Sequence, residues 1–233
     1  MYTLYIANKN YSSWSLRPWV LMRTLGILFE ERLVPFGSGD APHDFRTFSP
    51  HGKVPCLHDG DTVVWESLAI VEYLAERHEG VWPADARARA FARSAAAEMH
   101  AGFGALRQIC SMTCGLRVRL HRIEPQLRAD LERLQALWQE GLTRFAGPFL
   151  AGGAFSAVDA FFAPVAFRIQ TYGLPLAPAA LAYSERLLAL APMRSWYAEA
   201  LAEPWRDEAH DRETLAVGTV IEDLRRPATA QNA

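Results

Sequence analysis

The chain changes character at Val81-Trp82-Pro83. Before that point, short runs of β-formers alternate with helical periodicity. After it, Ala, Leu, Arg and Glu dominate and strand signals nearly vanish. A sequence built this way predicts two units: a small α/β domain over residues 1–80 and an all-helical domain over 86–225. In the first unit Thr3–Ala7 reads as a strand and Leu16–Leu25 as a helix closed by Gly26. Phe29–Phe36 reads as a second strand, its Glu30-Glu31-Arg32 stretch suiting a sheet edge. Val54–His58 and Thr62–Trp65 flank Asp59-Gly60-Asp61, a hairpin signal, and Ser67–Arg77 is an amphipathic helix. The order is β-α-β-loop-β-β-α, with the first two strands parallel and the last two antiparallel. In the second unit, Ala86 to about Met112, Pro125–Phe145, Ala157–Tyr172 and Tyr183–Leu201 read as helices, and the tail Arg225–Ala233 as frayed.

Composition narrows the function classes. A net charge of −2 and a pI near 6.4 argue against a nucleic-acid binder, which needs a basic surface for phosphates. Three cysteines do not make a disulfide framework. No apolar run approaches the ~20 residues of a membrane span, and the start of the chain lacks a signal-peptide pattern. The expectation is a cytoplasmic protein with no membrane partner. Cys110 and Cys114, four apart with no His or Cys cluster near, give no zinc pattern. The run Arg117, Arg119, Arg122 reads as a solvated face or a cleft wall.

Three places carry chemistry. In the first, Ser12, Ser13 and Ser15 crowd the entry to the first helix. Proline fits without cost only where helix N–H groups are unpaired. A cap at Ser15 would make Pro18 the third helical residue, so Ser15 is expected to cap and Ser12 and Ser13 to stay in the loop. Their hydroxyls then sit at the positive end of a helix, where an anion such as a thiolate is favoured. In the second, Ser49–Leu57 places Pro55 at the mouth of a strand. A cis Val54–Pro55 bond would offer the Val54 backbone to an extended peptide, and Lys53 could meet a carboxylate. In the third, Glu66-Ser67 marks a step from strand to helix, where the serine would take a carboxylate and the glutamate an ammonium.

Taken together, Ser12-Ser13-Trp14-Ser15 with Arg17, Lys53-Val54-Pro55, Glu66-Ser67-Leu68-Ala69-Ile70 and Phe149-Leu150-Ala151-Gly152 followed by Ser156-Ala157-Val158-Asp159 resemble the glutathione transferase superfamily. The four motifs fall in order over about residues 2–200. The serine loop is nearest the zeta-like, serine-type bacterial members. The resemblance implies a thioredoxin-like N-terminal domain and an all-α C-terminal domain. It implies glutathione as substrate or cofactor and no metal. Ser12 and Ser13 would be catalytic. Ser15, Lys53, Val54, Glu66 and Ser67 would bind glutathione, while Pro55, Ser156 and Asp159 would be structural, the last two as a buried capping box. The partner substrate would be a small hydrophobic or acidic electrophile lying near residues 107–119 and 162–172. A homodimer is also implied. Trp14 stands where the zeta loop has cysteine, Lys53 where a glutamine is common, and Thr171 where the isomerases of that class hold an arginine, with Arg168 a turn earlier. The first and third departures count against maleylacetoacetate-type isomerisation.

Overall fold

The computed structural model describes residues 1–37 and 44–225. The N-terminal unit runs β1 (Tyr2–Ile6), α1 (Ser13–Thr24), β2 (Phe29–Leu33), β3 (Cys56–Asp59), β4 (Thr62–Trp65) and α2 (Ser67–Ala75). The sheet order is β2-β1-β3-β4. β1 and β2 are parallel, joined through α1, while β3 and β4 form the antiparallel hairpin. β2 lies at the edge, as its charged stretch requires, since an edge strand keeps one side in water. Between β2 and β3 the described residues hold only a single 3-10 turn, Phe45–Thr47. Part of the Gly37–Lys53 loop, and the tail beyond residue 225, lie outside the described residues.

The second unit contains α3 (Ala86–Ala101), α4 (Gly104–Ile109), β5 (Leu116–Leu120), α5 (Pro125–Arg144), α6 (Ala157–Tyr172), α7 (Pro178–Leu188), α8 (Ala191–Ala202), α9 (Glu208–Val217) and β6 (Gly218–Asp223). It is helical, with one correction to the all-helical expectation: β5 and β6 pair as an antiparallel ribbon. The Leu116-Arg117-Val118-Arg119-Leu120 alternation has the period of a half-buried strand, with Leu116 and Val118 buried. Its arginines are the basic run, and Arg117 donates to the Tyr197 hydroxyl at 3.0 Å.

Two expected helices are each divided. Ala86–Met112 breaks at Gly102, where a side chain would meet the Glu98 carbonyl at 2.8 Å and Phe103 turns left-handed. Tyr183–Leu201 breaks between α7 and α8, where Pro192 occupies the first turn of the new helix, the place a proline is tolerated. Arg225 is not part of a frayed end. It is buried and donates to the Tyr11 hydroxyl at 2.8 Å and the Glu203 carbonyl at 3.0 Å.

α6 is apolar nearly all round and sits at the centre of the molecule against α1, α3 and α7. The capping box at its start has formed. Asp159 is completely buried and accepts N–H bonds from Leu150 and Ser156, both at 3.0 Å, and the Tyr183 hydroxyl at 2.8 Å. One carboxylate therefore ties the loop before α6, the helix itself and α7 together.

The two units are joined by Lys9. Its ammonium lies between the rings of Trp19 and Trp196, 5.1 and 5.5 Å from their centroids. It pairs with Glu31 at 2.6 Å and with Glu199. Pairing of this kind offsets the cost of burying the cation. The contact pins the loop after β1, and hence the entry to α1, against α8.

Candidate active site

The β1–α1 loop is buried, which is unusual for a loop and is made possible by side-chain partners for its backbone. Asn10 accepts from the Gly115 N–H at 2.9 Å, and its own N–H reaches Glu203. The Asn8 carbonyl accepts from Tyr11 and Ser12, so the chain turns early and α1 begins at Ser13. Ser12, not Ser15, is the N-cap residue, and the expected cap at Ser15 is corrected. Pro18 is the sixth helical residue and leaves one backbone bond unmade. Nine of the twelve α1 residues are buried, and that packing outweighs the lost bond.

The three serine hydroxyls are sorted by this geometry. Ser15 is fully buried, accepts from the Ala7 N–H at 3.2 Å and lies 2.7 Å from the Ser12 hydroxyl. From inside the fold it holds Ser12. Ser12 occupies the cap position, yet its side chain makes no capping bond. Ser12 is itself buried and its hydroxyl meets Ser15, while the Ser13 N–H of the first turn is bonded to the Tyr11 carbonyl at 2.9 Å. Ser13 is the first helical residue and lines a cleft of about 570 Å³ with Tyr11, Trp14, Phe36, Arg107 and Arg168.

A second, narrower cleft of about 320 Å³ lies on the other side of Trp14. Lys53, Val54 and Pro55 line it, with His51, Glu66, His100 and Arg107. The Val54–Pro55 bond is cis, as expected. Lys53 is exposed there. Trp14 and Arg107 belong to both clefts and form the wall between them. Arg17 stacks on Trp14 from inside the fold, 4.0 Å from the ring centroid. His100 meets the same ring edge-on, and burial pulls its pKa down, with Arg17 adding to the fall.

Glu66 and Ser67 stand at the start of α2. Glu66 is the cap residue and has φ +68, ψ 127, backbone that side-chain-bearing residues rarely adopt. It makes no capping bond, so its carboxylate is directed into the narrow cleft, 3.5 Å from His51 and 3.9 Å from His100. Ser67 is buried and its hydroxyl has no hydrogen-bond partner. A buried unsatisfied hydroxyl costs about 1–3 kcal/mol. An exposed acid on strained backbone, beside an orphaned donor at a helix N-terminus, fits the carboxylate and ammonium of an amino-acid head group. Serine at the strand-to-helix step was readable from sequence, but its orphaned state was not. Arg17, Arg107 and Arg168 come from three helices; the resemblance names Arg17 and Arg168 and places the electrophile near 107–119 and 162–172, and the structure sets Arg107 and Arg168 on one cleft.

The N-terminal domain model of the glutathione S-transferases matches residues 11–77, and the C-terminal domain model of the same family matches residues 117–209. Together they take in more than half of the chain, which belongs to the glutathione transferase family. Glutathione S-transferase 1 from Dianthus caryophyllus is 26% identical over 75% of this chain and 80% of its own length. A "Probable maleylacetoacetate isomerase" from Caenorhabditis elegans is 25% identical over 75% of this chain and 82% of its own. A dichloromethane dehalogenase from Methylophilus leisingeri is 40% identical, but over 23% of this chain and 21% of that protein. The fold is shared with a crystal structure of a glutathione transferase homolog from Burkholderia with bound glutathione. That likeness has a TM-score of 0.62 and 24% identity, over 85% of this chain and 97% of the other.

Proposed function

We propose that the chain conjugates glutathione to small electrophiles, with the thiolate held by the loop serines. The observation that carries this reading is Ser12: a serine in the cap position whose hydroxyl does not cap, at the positive end of α1. The Ser12–Ser15 contact can run with Ser15 donating, because hydroxyl hydrogens rotate and Ser15 already receives the Ala7 N–H. Ser12 then keeps its own O–H for an anion. Ser13 supplies a second hydroxyl from the wider cleft.

The energies suffice without a general base. Lowering a thiol by about two pKa units from ~8.5 requires ~2.7 kcal/mol. One hydrogen bond to a charged sulfur provides ~1.5–3 kcal/mol, and the helix N-terminus adds ~0.3–1 kcal/mol. In this reading Glu66 and Ser67 hold the γ-glutamyl ammonium and carboxylate. Val54 pairs with the peptide backbone, and Lys53 faces the glycine carboxylate. The electrophile enters the wider cleft beyond Trp14. Isomerase chemistry gains no support from Thr171, whose hydroxyl is buried and spent on the Thr113 carbonyl at 2.7 Å. The serine loop counts against a non-catalytic binding role.

Ser12→Ala should raise the pKa of bound glutathione by about one to two units, the equivalent of one hydrogen bond to a charged group. Thiolate absorbance in a pH titration of the complex reads it. Ser13→Ala should give a smaller rise. A titration unchanged in both variants would remove the serines from the mechanism. The assembly we propose is a homodimer, and light scattering at micromolar concentration should return twice the 26.0 kDa chain mass.

A further inference from the structure

Resting on the transferase reading, we propose that Arg225, just past β6, is a positioning residue for the serine loop: through the Tyr11 phenol it fixes the backbone that presents Ser12. Tyr11 immediately precedes Ser12 and is buried. Its hydroxyl accepts from Arg225 Nη1 at 2.8 Å and from the Asp207 N–H at 3.3 Å, and it donates to Asp211 at 2.9 Å. With its single O–H given to Asp211, the phenol has no proton to offer a thiol. Its part is to anchor. The Tyr11 carbonyl meanwhile accepts from the Ser13 N–H at 2.9 Å. Tyr11 is therefore held at both ends, by the C-terminal segment at its hydroxyl and by the first residue of α1 at its carbonyl, with Ser12 between them.

Arg225 grips more than the phenol. Its Nη2 donates to the carbonyls of Glu203, at 3.0 Å, and Trp205. The Glu203 carboxylate takes the N–H groups of Lys9 at 2.5 Å and Asn10 at 3.2 Å, so the residue that seats the guanidinium also seats the loop. Gly115 joins loop and ribbon from the other side. Its N–H goes to the Asn10 side chain at 2.9 Å, and its carbonyl receives the Leu224 N–H at 2.8 Å. A side chain at Gly115 would run into the Arg225 stem. Among the described residues, each bond the guanidinium makes goes to a neutral oxygen, and its Nε has no partner. Burying a cation on such terms costs stability, and a packed apolar side chain would hold the ribbon end at less cost. What the arginine adds is its fork: one planar group that spans the phenol and two carbonyls in fixed geometry. Position matters here, because a misplacement of about 1 Å at a reacting group can cost about a hundredfold in rate.

Arg225→Met keeps an unbranched stem and removes the fork. In this variant the pKa of bound glutathione, read as thiolate absorbance, should rise by about one unit. Below that pKa, kcat with chlorodinitrobenzene, from which the sulfur displaces chloride, should fall about tenfold, while the glutathione KM changes by less than about twofold. Tyr11→Phe should reproduce the rise with the ring still in place, and Arg225→Lys, which keeps one donor for the phenol, should recover at least half of it. In a Ser12→Ala background Arg225→Met should add no more than about 0.3 unit, because the hydroxyl it positions is gone. An arginine that only stabilises the fold would lower the melting temperature and leave the thiol alone. A titration unchanged in both Arg225→Met and Tyr11→Phe would therefore overturn the proposal, and so would a full further rise on top of Ser12→Ala. If Arg225→Met does not fold, Tyr11→Phe and Arg225→Lys carry the same test. Hydrogen exchange over residues 8–16, measured without glutathione, separates this inference from the reading beneath it. Exchange should quicken in Arg225→Met. Quickened exchange in a protein whose bound glutathione titrates like the free thiol refutes the serine mechanism and not the tie. Unchanged exchange, with a lowered thiol pKa in wild type, refutes the tie alone.

Discussion

Asp159→Ala should cost about 3–5 kcal/mol of stability, because it strands several buried donors at once. The Leu150 and Ser156 N–H groups and the Tyr183 hydroxyl all converge on this carboxylate. At roughly 2–4 °C per kcal/mol for a chain of this size, the melting temperature should fall by about 10 °C. Tyr183→Phe removes one bond and should cost about 1 kcal/mol. Asp159→Asn keeps the shape but turns an N–H₂ toward donors, so it should fall between the two. The pH dependence has a definite sign. Burial raises the Asp159 pKa from 3.8 to about 6, against its hydrogen bonds. The folded state therefore holds the proton more tightly than the unfolded chain. The contribution is full below pH 3.8 and is lost as pH rises through about 6, flat above that. The stability gap between wild type and Asp159→Asn should accordingly narrow across that window. A gap that widens with rising pH would show that the carboxylate is stabilised in its charged form.

The second large effect is on binding, and it runs opposite to stability. Glu66→Ala combined with Ser67→Ala should weaken glutathione about a hundredfold, since two charge-assisted interactions are lost. The same changes should leave the fold intact or firmer. Ser67→Ala removes a buried hydroxyl that has no partner, a gain of about 1 kcal/mol. Glu66→Gly should also stabilise, because glycine occupies positive φ without the ~1 kcal/mol or more that glutamate must bear. A residue kept at the expense of stability is expected where it serves a ligand. Calorimetry for affinity and thermal denaturation for stability give both halves. Unchanged affinity in the double variant would dismiss this pair from the site.

The order of elements along the chain, the hairpin at Asp59-Gly60-Asp61 and the Glu66-Ser67 step were readable because each is fixed by neighbours in sequence. The cis proline was foreshadowed by the family resemblance rather than by spacing. The start of α1 was misplaced for a reason that local rules do not contain. Pro18 argues for a late cap only if the helix stands alone, and α1 is packed deeply enough to absorb the proline. β5 was passed over because a single alternating run has no meaning until β6, about a hundred residues on, supplies its partner. Lys9 carries no local signal in the sequence. Its burial between Trp19 and Trp196 depends on α8 arriving from the far end of the chain. Arg107 and Arg168 fall within the two stretches that the resemblance sets near the electrophile, and α4 and α6 bring them to one cleft.

The central claim is that α1 and its serines stabilise a glutathione thiolate. The most direct measurement is the ultraviolet difference spectrum of the wild-type protein mixed with glutathione, titrated through neutral pH. The account predicts thiolate absorbance in the complex about two pKa units below the ~8.5 of a free thiol. A complex that forms by calorimetry yet titrates like free glutathione would contradict it.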